Sequence, residues 1–491
     1  MKRAAAIVCW AATSLWAQAP YRPEIPKAWD AAALASLEVP HPDPRYSPVA
    51  VSVEYYYGVP VRPVYKTYPV YAPGREPAHY VEWLREQEPQ VIFEPAQLRS
   101  EDDWIRAGEL VFDAPFGFNF VFSVSDVRNP AWFEHVQPPI TKTGIMPFAT
   151  YVIREKGRIE LGTFACAMCH TRVLPDGTIV KGAQGNFSID RANGFGFRRA
   201  PVFVARGVYR MLSGAPWLKP DPADLADTMS AEELAAQFDA APAGVVIRNR
   251  SSMNYPVAIP DLIGVKNRRY LDRTGLVRHR GIGDLMRYAA LNNEMDFLSK
   301  FGDFIPRGEN YKSLPAPSTQ RRYSDEQLFA LSLYLYSLKP PQNPNRPSAL
   351  TRRGEKIFNR SCAGCHTPPF YTNNKLTPAS GFAVPEDHKK KYDVLTVDIG
   401  TDAGLTLRTR RGTGYYKVPS LQGVWYRGPF EHNGSVATLE DWFDPKRLNS
   451  EYLPTGFRGF GVQTRAVKGH EFGLNLSTDD KRALIAFLRT L

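Results

Sequence analysis

Two short motifs constrain this 491-residue chain more than anything else in it: Cys166-Ala-Met-Cys169-His170 and Cys362-Ala-Gly-Cys365-His366. The C-x-x-C-H spacing is that of covalent c-type haem attachment. One turn of helix presents two thiols to the two vinyl groups of the macrocycle, and the adjacent histidine is then placed beneath the iron. Cys166, Cys169, Cys362 and Cys365 are therefore expected to attach two haems, with His170 and His366 as the proximal iron ligands. A redox disulfide or a zinc site would be the competing use of such cysteines. Two copies of the full motif, with Cys9 the one cysteine outside them, favour haem.

Cys9 belongs to a segment that reads as a secretory signal. Lys2 and Arg3 form a positive end, Ala4 to Trp16 is apolar and uncharged, and the small residues Ala17 and Ala19 offer cleavage points. The apolar stretch is too short to span a bilayer comfortably, and no later segment approaches that length. Residues 1–19 are thus expected to be removed on export, leaving a periplasmic or secreted protein without a transmembrane segment. An exported chain normally uses spare cysteines for disulfides, and this one has none to spare. The formal charge of +11 falls to about +9 without Lys2 and Arg3. Basic residues are scattered, the longest run being Lys389-Lys390-Lys391. That dispersion argues against nucleic acid, although a basic surface suits acidic partners.

Residues 20–100 are rich in Pro and Tyr, and their spaced prolines argue against helix, so an extended arm covering apolar surface is expected. From residue 101 the chain repeats its order of elements. Gly108-Glu109 with Phe112 is matched by Gly354-Glu355 with Phe358, 246 positions on. The haem motifs follow, 196 apart. Ile-Pro-Asp-Leu-Ile-Gly-Val at 259–265 is then echoed by Val-Pro-Ser-Leu-Gln-Gly-Val at 418–424, and Gly275 with Gly434 keeps that offset of 159. Last come two helical patterns 153 apart, one opening at Ser324 with Leu331, Leu335 and Leu338 on one face, the other at Ser477 with Leu484, Leu488 and Leu491. Ser at each start caps the first amides, and acidic residues follow at the positive end of the helix dipole. The pattern predicts a mainly α, loop-rich fold: two c-type cytochrome domains from an internal duplication, at 101–341 and 342–491, joined through the Pro-rich 339–348. The first half takes 54 positions from its opening Phe to its first Cys, against 4 in the second, so more protein is expected to wrap the first haem.

The ligand on the far side of each iron decides function. Two strong ligands make an electron-transfer haem; one ligand and an open face make a haem that binds oxygen or peroxide. His470, in Val-Lys-Gly-His-Glu-Phe-Gly, is the best sixth ligand for the second haem, because the flanking glycines allow close backbone approach. The position 153 earlier is Pro317, which cannot ligate iron. His432 is the rival ligand, with a structural or hydrogen-bonding role favoured for it. His135 and His279 are the candidates for the first haem, each expected to be engaged elsewhere. Trp425, Tyr426, Tyr415 and Tyr416 flank the second Pro loop, where they either relay electrons or simply pack.

Arg352 to Leu491 carries a family likeness. G-E-K-I-F-N-R-S-C-A-G-C-H followed by V-P-S-L-Q-G-V-W-Y-R-G-P-F-E-H-N-G-S-V-A-T-L-E-D-W resembles the di-haem cytochrome c peroxidase superfamily, and G-H-E-F-G-L-N-L-S resembles the branch containing the bacterial rubber oxygenases. The resemblance implies two facing cytochrome-like domains. In that branch the N-terminal haem binds oxygen and the C-terminal one is bis-His, which puts His470 on the second iron. Peroxidases of the superfamily instead place a Met or Tyr after T-L-E-D; here the stretch is Phe443-Asp444-Pro445-Lys446. The expectation is an exported di-haem oxidoreductase, peroxidase- or oxygenase-like, with His170 beneath the reactive first haem. Its partner would be a redox protein or a small oxidant. The alternative is a non-catalytic electron carrier.

Overall fold

In each half a glycine lets the opening helix lie against the closing helix with their backbones almost in contact. The computed structural model describes residues 21–247 and 255–491, so the expected signal, 1–19, lies outside the described residues. The first pair is Glu101–Asp113, with a capping box from Ser100 and Asp103, and Asp325–Ser337, with one from Ser324 and Gln327. The second is Ala349–Ser361, capped by Ser348 and Thr351, and Thr478–Leu488, where Ser477 accepts the amide of Asp480. A Cβ on Gly108 would stand 2.0 Å from the Ala330 carbonyl oxygen, and one on Gly354 would stand 1.9 Å from that of Ala483. Each crossing is sealed by an aromatic pair, Phe112 on Tyr334 and Phe358 on Phe487. The leucine stripes face inward as expected: Leu331, Leu335, Leu484 and Leu488 are buried.

The fold is loop-rich with more helix than strand, 35% against 13% of the described residues. The long insertion before the first haem motif is a sheet. Its antiparallel order runs Thr67–Tyr71, Ile145–Glu155, Arg158–Thr163, Gly117–Phe118. The segment Ile145-Met-Pro-Phe-Ala-Thr-Tyr-Val-Ile153 is rich in β-branched and aromatic residues, which suits a pleated surface better than a helix. Phe148 stacks on Phe187 at 4.9 Å, and the sheet core gathers Trp132, Phe122 and Leu161. The sheet ends at Thr163, three residues before Cys166.

The Pro/Tyr-rich segment is not wholly extended. Ser52 caps a helix over Val53–Gly58, ahead of Pro60 and Pro63, and Tyr80–Glu86 forms another. The segment between supplies the sheet's edge strand. Trp29 and Tyr56 stack at 4.3 Å and are fully buried in the same core as the first helix pair. The extension thus covers apolar surface with side chains of its own. No helix among the described residues is long and apolar enough to cross a membrane.

One buried charge cluster ties the second-half loops. His432 pairs through Nδ1 with the Glu431 carboxylate and lies 3.8 Å from Asp402 through Nε2. Burial alone would lower its pKa, but the two carboxylates outweigh burial and raise it to about 9.

Two outcomes are expected. Gly354→Ala drives a methyl into the Ala483 carbonyl, so the helices must part, at a cost of about 3 kcal/mol in a denaturant melt of the matured protein; an unchanged midpoint would contradict the crossing. His432 has a folded pKa above its unfolded value, so its stabilising increment is complete below about pH 6.5 and lost as pH rises through about 9. Wild type should therefore lose more thermal stability than His432→Gln between pH 6.5 and 10.

Candidate haem-binding sites

Both C-x-x-C-H motifs fold as one tight turn in which the histidine amide donates to the carbonyl of the first cysteine, at 2.9 Å for His170 on Cys166 and 2.9 Å for His366 on Cys362. The first turn sits at a seam: Ala167 packs into the helical core and Met168 into the sheet core. The second turn directly extends helix Ala349–Ser361, with Cys362 as its C-cap. All four cysteines are partly exposed. Burial pushes the Cys362 thiol up to about 11. Among the described residues no cluster of three or more His, Cys, Asp or Glu is arranged to hold a metal ion.

The proximal histidines are oriented in the same manner. His170 Nδ1 donates to the Pro260 carbonyl at 3.0 Å. His366 Nδ1 donates to the Tyr371 carbonyl at 3.3 Å and lies beside that of Pro419. Pro260 and Pro419 are the prolines of the two repeated Pro-x-Leu-x-Gly-Val loops. A proton held on Nδ1 leaves the Nε2 lone pair for a metal. The sequence singled out these loops as a repeat without assigning them this orienting role.

Opposite His366 stands His470, with ring centroids 6.1 Å apart. Two imidazoles bound to one metal ion by bonds of about 2 Å hold their ring centres roughly 6 Å apart, so the pair fits a shared iron. The loop is built to hold this ring. Gly469 has φ +88° and lies where a Cβ would meet the Thr401 amide at 2.4 Å. The His470 amide donates to Ile399 at 2.6 Å. The buried Arg447 binds the carbonyls of Val467 (2.6 Å), Gly469 (2.9 Å) and His470 (2.9 Å). Trp442 and Phe472 meet the His470 ring edge-on at 5.1 and 5.3 Å. Its Nδ1 is buried without a hydrogen bond, and burial together with His366 pushes its pKa down to about 4. A neutral imidazole is the form that ligates a metal.

The other histidines are engaged elsewhere. His279 uses both nitrogens, Nδ1 with the Arg268 carbonyl at 2.6 Å and Nε2 with the Tyr336 hydroxyl at 2.7 Å. His135 Nε2 pairs with Asp239 at 3.0 Å. His432 is clamped between carboxylates, which favours the protonated form that cannot ligate iron. Tyr415 and Tyr416 are buried packing residues; the Tyr415 hydroxyl shares a hydrogen bond with His388 Nδ1 at 2.9 Å. Trp425 meets Tyr426 edge-on at 5.1 Å, against Ile263 of the first Pro loop.

Comparison with known proteins gives one family match, described as RoxA-like, cytochrome c-like, over residues 414–452. That stretch holds the second Pro loop, His432 and the Thr438-Leu-Glu-Asp441 turn. An uncharacterized protein, y4iJ, of Sinorhizobium fredii is 30% identical over 150 aligned positions, which cover 23% of this chain; the chain spans about a quarter (25%) of that relative's length. Among solved structures, Kuenenia stuttgartiensis hydrazine synthase aligns at a TM-score of 0.29 and 13% identity, over 61% of this chain and 92% of that one. A MauG-like protein associated with microbial copper homeostasis aligns at 0.22 and 18%, over 34% and 56%. Over residues 414–452 the chain is similar to the RoxA-like, cytochrome c-like family.

Proposed function

We propose that this chain is an exported di-haem c-type oxidoreductase, peroxidase- or oxygenase-like, with two haem-bearing halves of unequal role. The observation that carries this reading is the facing pair His366 and His470, 6.1 Å apart, in one half. In the other half, His135 and His279 are already committed to Asp239, Arg268 and Tyr336. Haem iron with an accessible axial position reacts with oxygen or peroxide, whereas iron held by two imidazoles passes electrons.

The residues divide the work accordingly. His170 is held by Pro260 so that Nε2 points away from the carbonyl, and the Nδ1 hydrogen bond strengthens it as a donor. The sheet of the first half packs against the Cys166–Cys169 turn through Met168. His366 is buried and His470 half-buried, and desolvation lowers the pKa of both, which suits the second site to electron relay or to tuning of the first. Oxygen or peroxide is the small oxidant, a redox protein the electron partner, and the space outside the cytoplasm the location.

Low-temperature EPR of the oxidised protein, matured in a host that attaches c-type haem, should show one high-spin signal beside one low-spin bis-His signal. Two low-spin signals and no high-spin one would favour the electron carrier. His470→Ala should convert the low-spin signal to high-spin and leave the other unchanged. His170→Ala should abolish oxygen or peroxide consumption with the low-spin signal intact; surviving turnover would place the reactive iron elsewhere.

A further inference from the structure

Away from both attachment turns, one buried histidine fixes the direction of a hydrogen bond from a tyrosine. His279 is 7% exposed and uses both ring nitrogens. Nδ1 lies 2.6 Å from the Arg268 carbonyl and Nε2 lies 2.7 Å from the Tyr336 hydroxyl. A carbonyl only accepts, so Nδ1 carries the proton. Burial, the largest influence on this ring, lowers its pKa below the ordinary histidine value, so the imidazole is neutral at pH 7 and Nε2 holds a lone pair. The Tyr336 hydroxyl is therefore the donor. Burial also raises that hydroxyl to about 12, which keeps it a phenol. His388 and Tyr415 make a comparable contact at 2.9 Å, but in a separate apolar cluster with Val39, Tyr270 and Leu376.

The pair stands beside the first attachment turn. Tyr336 lies on the closing helix Asp325–Ser337 and packs on the apolar core that holds Ala167, with Cys166 against the same core. His279 reaches the first Pro loop through the Arg268 carbonyl. The Arg268 guanidinium in turn binds the carbonyls of Asp261 and Ile263, next to the Pro260 carbonyl that orients His170. The charges facing the His279 ring are Asp284, itself paired with Arg280 and Arg287, and the cations Arg268 and Lys417. Lys266 lies over the Tyr336 ring, 5.8 Å from its centre. One-electron oxidation turns a phenol into a strong acid, so a buried tyrosine gives up an electron readily only where a base stands ready for its proton. A base within about 2.6–3.2 Å of the donor atom meets that requirement, and Nε2 does.

We propose that Tyr336 and His279 form a proton-coupled redox pair serving the first haem site; this rests on the reading of that site as peroxide-reactive. Tyr336 loses one electron to a one-electron oxidant, in turnover the first site after its reaction with peroxide. The phenol O–H bond breaks, the proton crosses to His279 Nε2 along the existing hydrogen bond, and a neutral tyrosyl radical then faces an imidazolium. When the redox partner returns an electron, the proton goes back to the oxygen. Arg268 and Lys417 disfavour a lasting positive charge on the ring, which favours that return.

The test oxidises the matured holoprotein in two ways. Flash photolysis of ruthenium tris-bipyridine, with pentaamminechlorocobalt(III) as electron acceptor, needs no peroxide chemistry; hydrogen peroxide is the second oxidant. Radical formation is followed by transient absorption and by EPR of frozen samples, ring-deuterated tyrosine identifying a tyrosyl signal by its narrowing. Photo-oxidised wild type should trap a tyrosyl radical that Tyr336→Phe loses and Tyr415→Phe keeps. His279→Gln retains an oxygen to accept the hydrogen bond but no base, so the radical should form more slowly and without the slowing in heavy water that wild type shows. A signal unchanged in Tyr336→Phe, a signal absent from photo-oxidised wild type, or an undiminished rate in His279→Gln would each overturn the pair. A Tyr336 radical under light but none with peroxide would keep the pair and remove the peroxide-reactive reading of the first site instead. If Tyr336→Phe fails to mature, the rate in His279→Gln and the heavy-water effect decide.

Discussion

Each proximal histidine gives its Nδ1 proton to a backbone carbonyl, and the arrangement of both sites depends on that bond. In the first half the acceptor is Pro260, 90 positions along the chain from His170. Proline is well suited to the place because its loop is stiff at φ and has no amide hydrogen to compete for the carbonyl's surroundings. The bond fixes the tautomer, turns Nε2 toward the site and joins the attachment turn to a distant loop. In the second half the Tyr371 carbonyl accepts and Pro419 lies alongside. The same two prolines line a cleft with basic side chains from both halves, Arg268, Arg273, Lys417 and Arg427.

On this shared frame the halves diverge through what is inserted. Residues 113–165 build a sheet around the first attachment turn and recruit a strand from the N-terminal extension to complete it. The second half goes from its opening helix into Cys362 with no interruption. A sheet beside one turn and the His470 loop beside the other give the two turns different surroundings without altering the helix crossings. The crossings have little freedom to change, because Gly108 and Gly354 leave no room even for a methyl group.

Much of this was legible in the sequence. The attachment turns, the capped closing helices, their leucine faces and the position of His470 follow from local spacing. The occupation of His135 and His279 by other partners was also the expected reading. The sheet was not anticipated, because Ile145–Glu155 lacks strict alternation: it is buried on both faces near its middle, and a continuous apolar run looks alike in helix and strand. The helix at Val53–Gly58 hid behind the prolines that follow it. The cationic cleft was invisible for a different reason. Arg268 and Arg273 belong to one half and Lys417 and Arg427 to the other, and scattered basic residues reveal nothing until the loops bring them together.

The loop around His470 shows how far the fold goes to hold one ring. His470 itself sits at φ 48°, a left-handed conformation that costs a non-glycine residue roughly 1–2 kcal/mol. Its imidazole is desolvated and held neutral, with Nδ1 buried and unbonded, and a further desolvation cost falls on Arg447, which is 1% exposed. No packing requirement asks for this combination; an apolar side chain would fill the space between Trp442 and Phe472 at lower cost. The costs have a common effect, however. Arg447 holds the loop by the carbonyls of Val467, Gly469 and His470, Gly469 allows the backbone to pass against Thr401, and the ring is left facing His366 across the width of one metal ion. Local strain of this kind persists only where surrounding structure over-determines it, and it gathers at functional sites. The placement of His470 is therefore better explained by what it faces than by what it packs against.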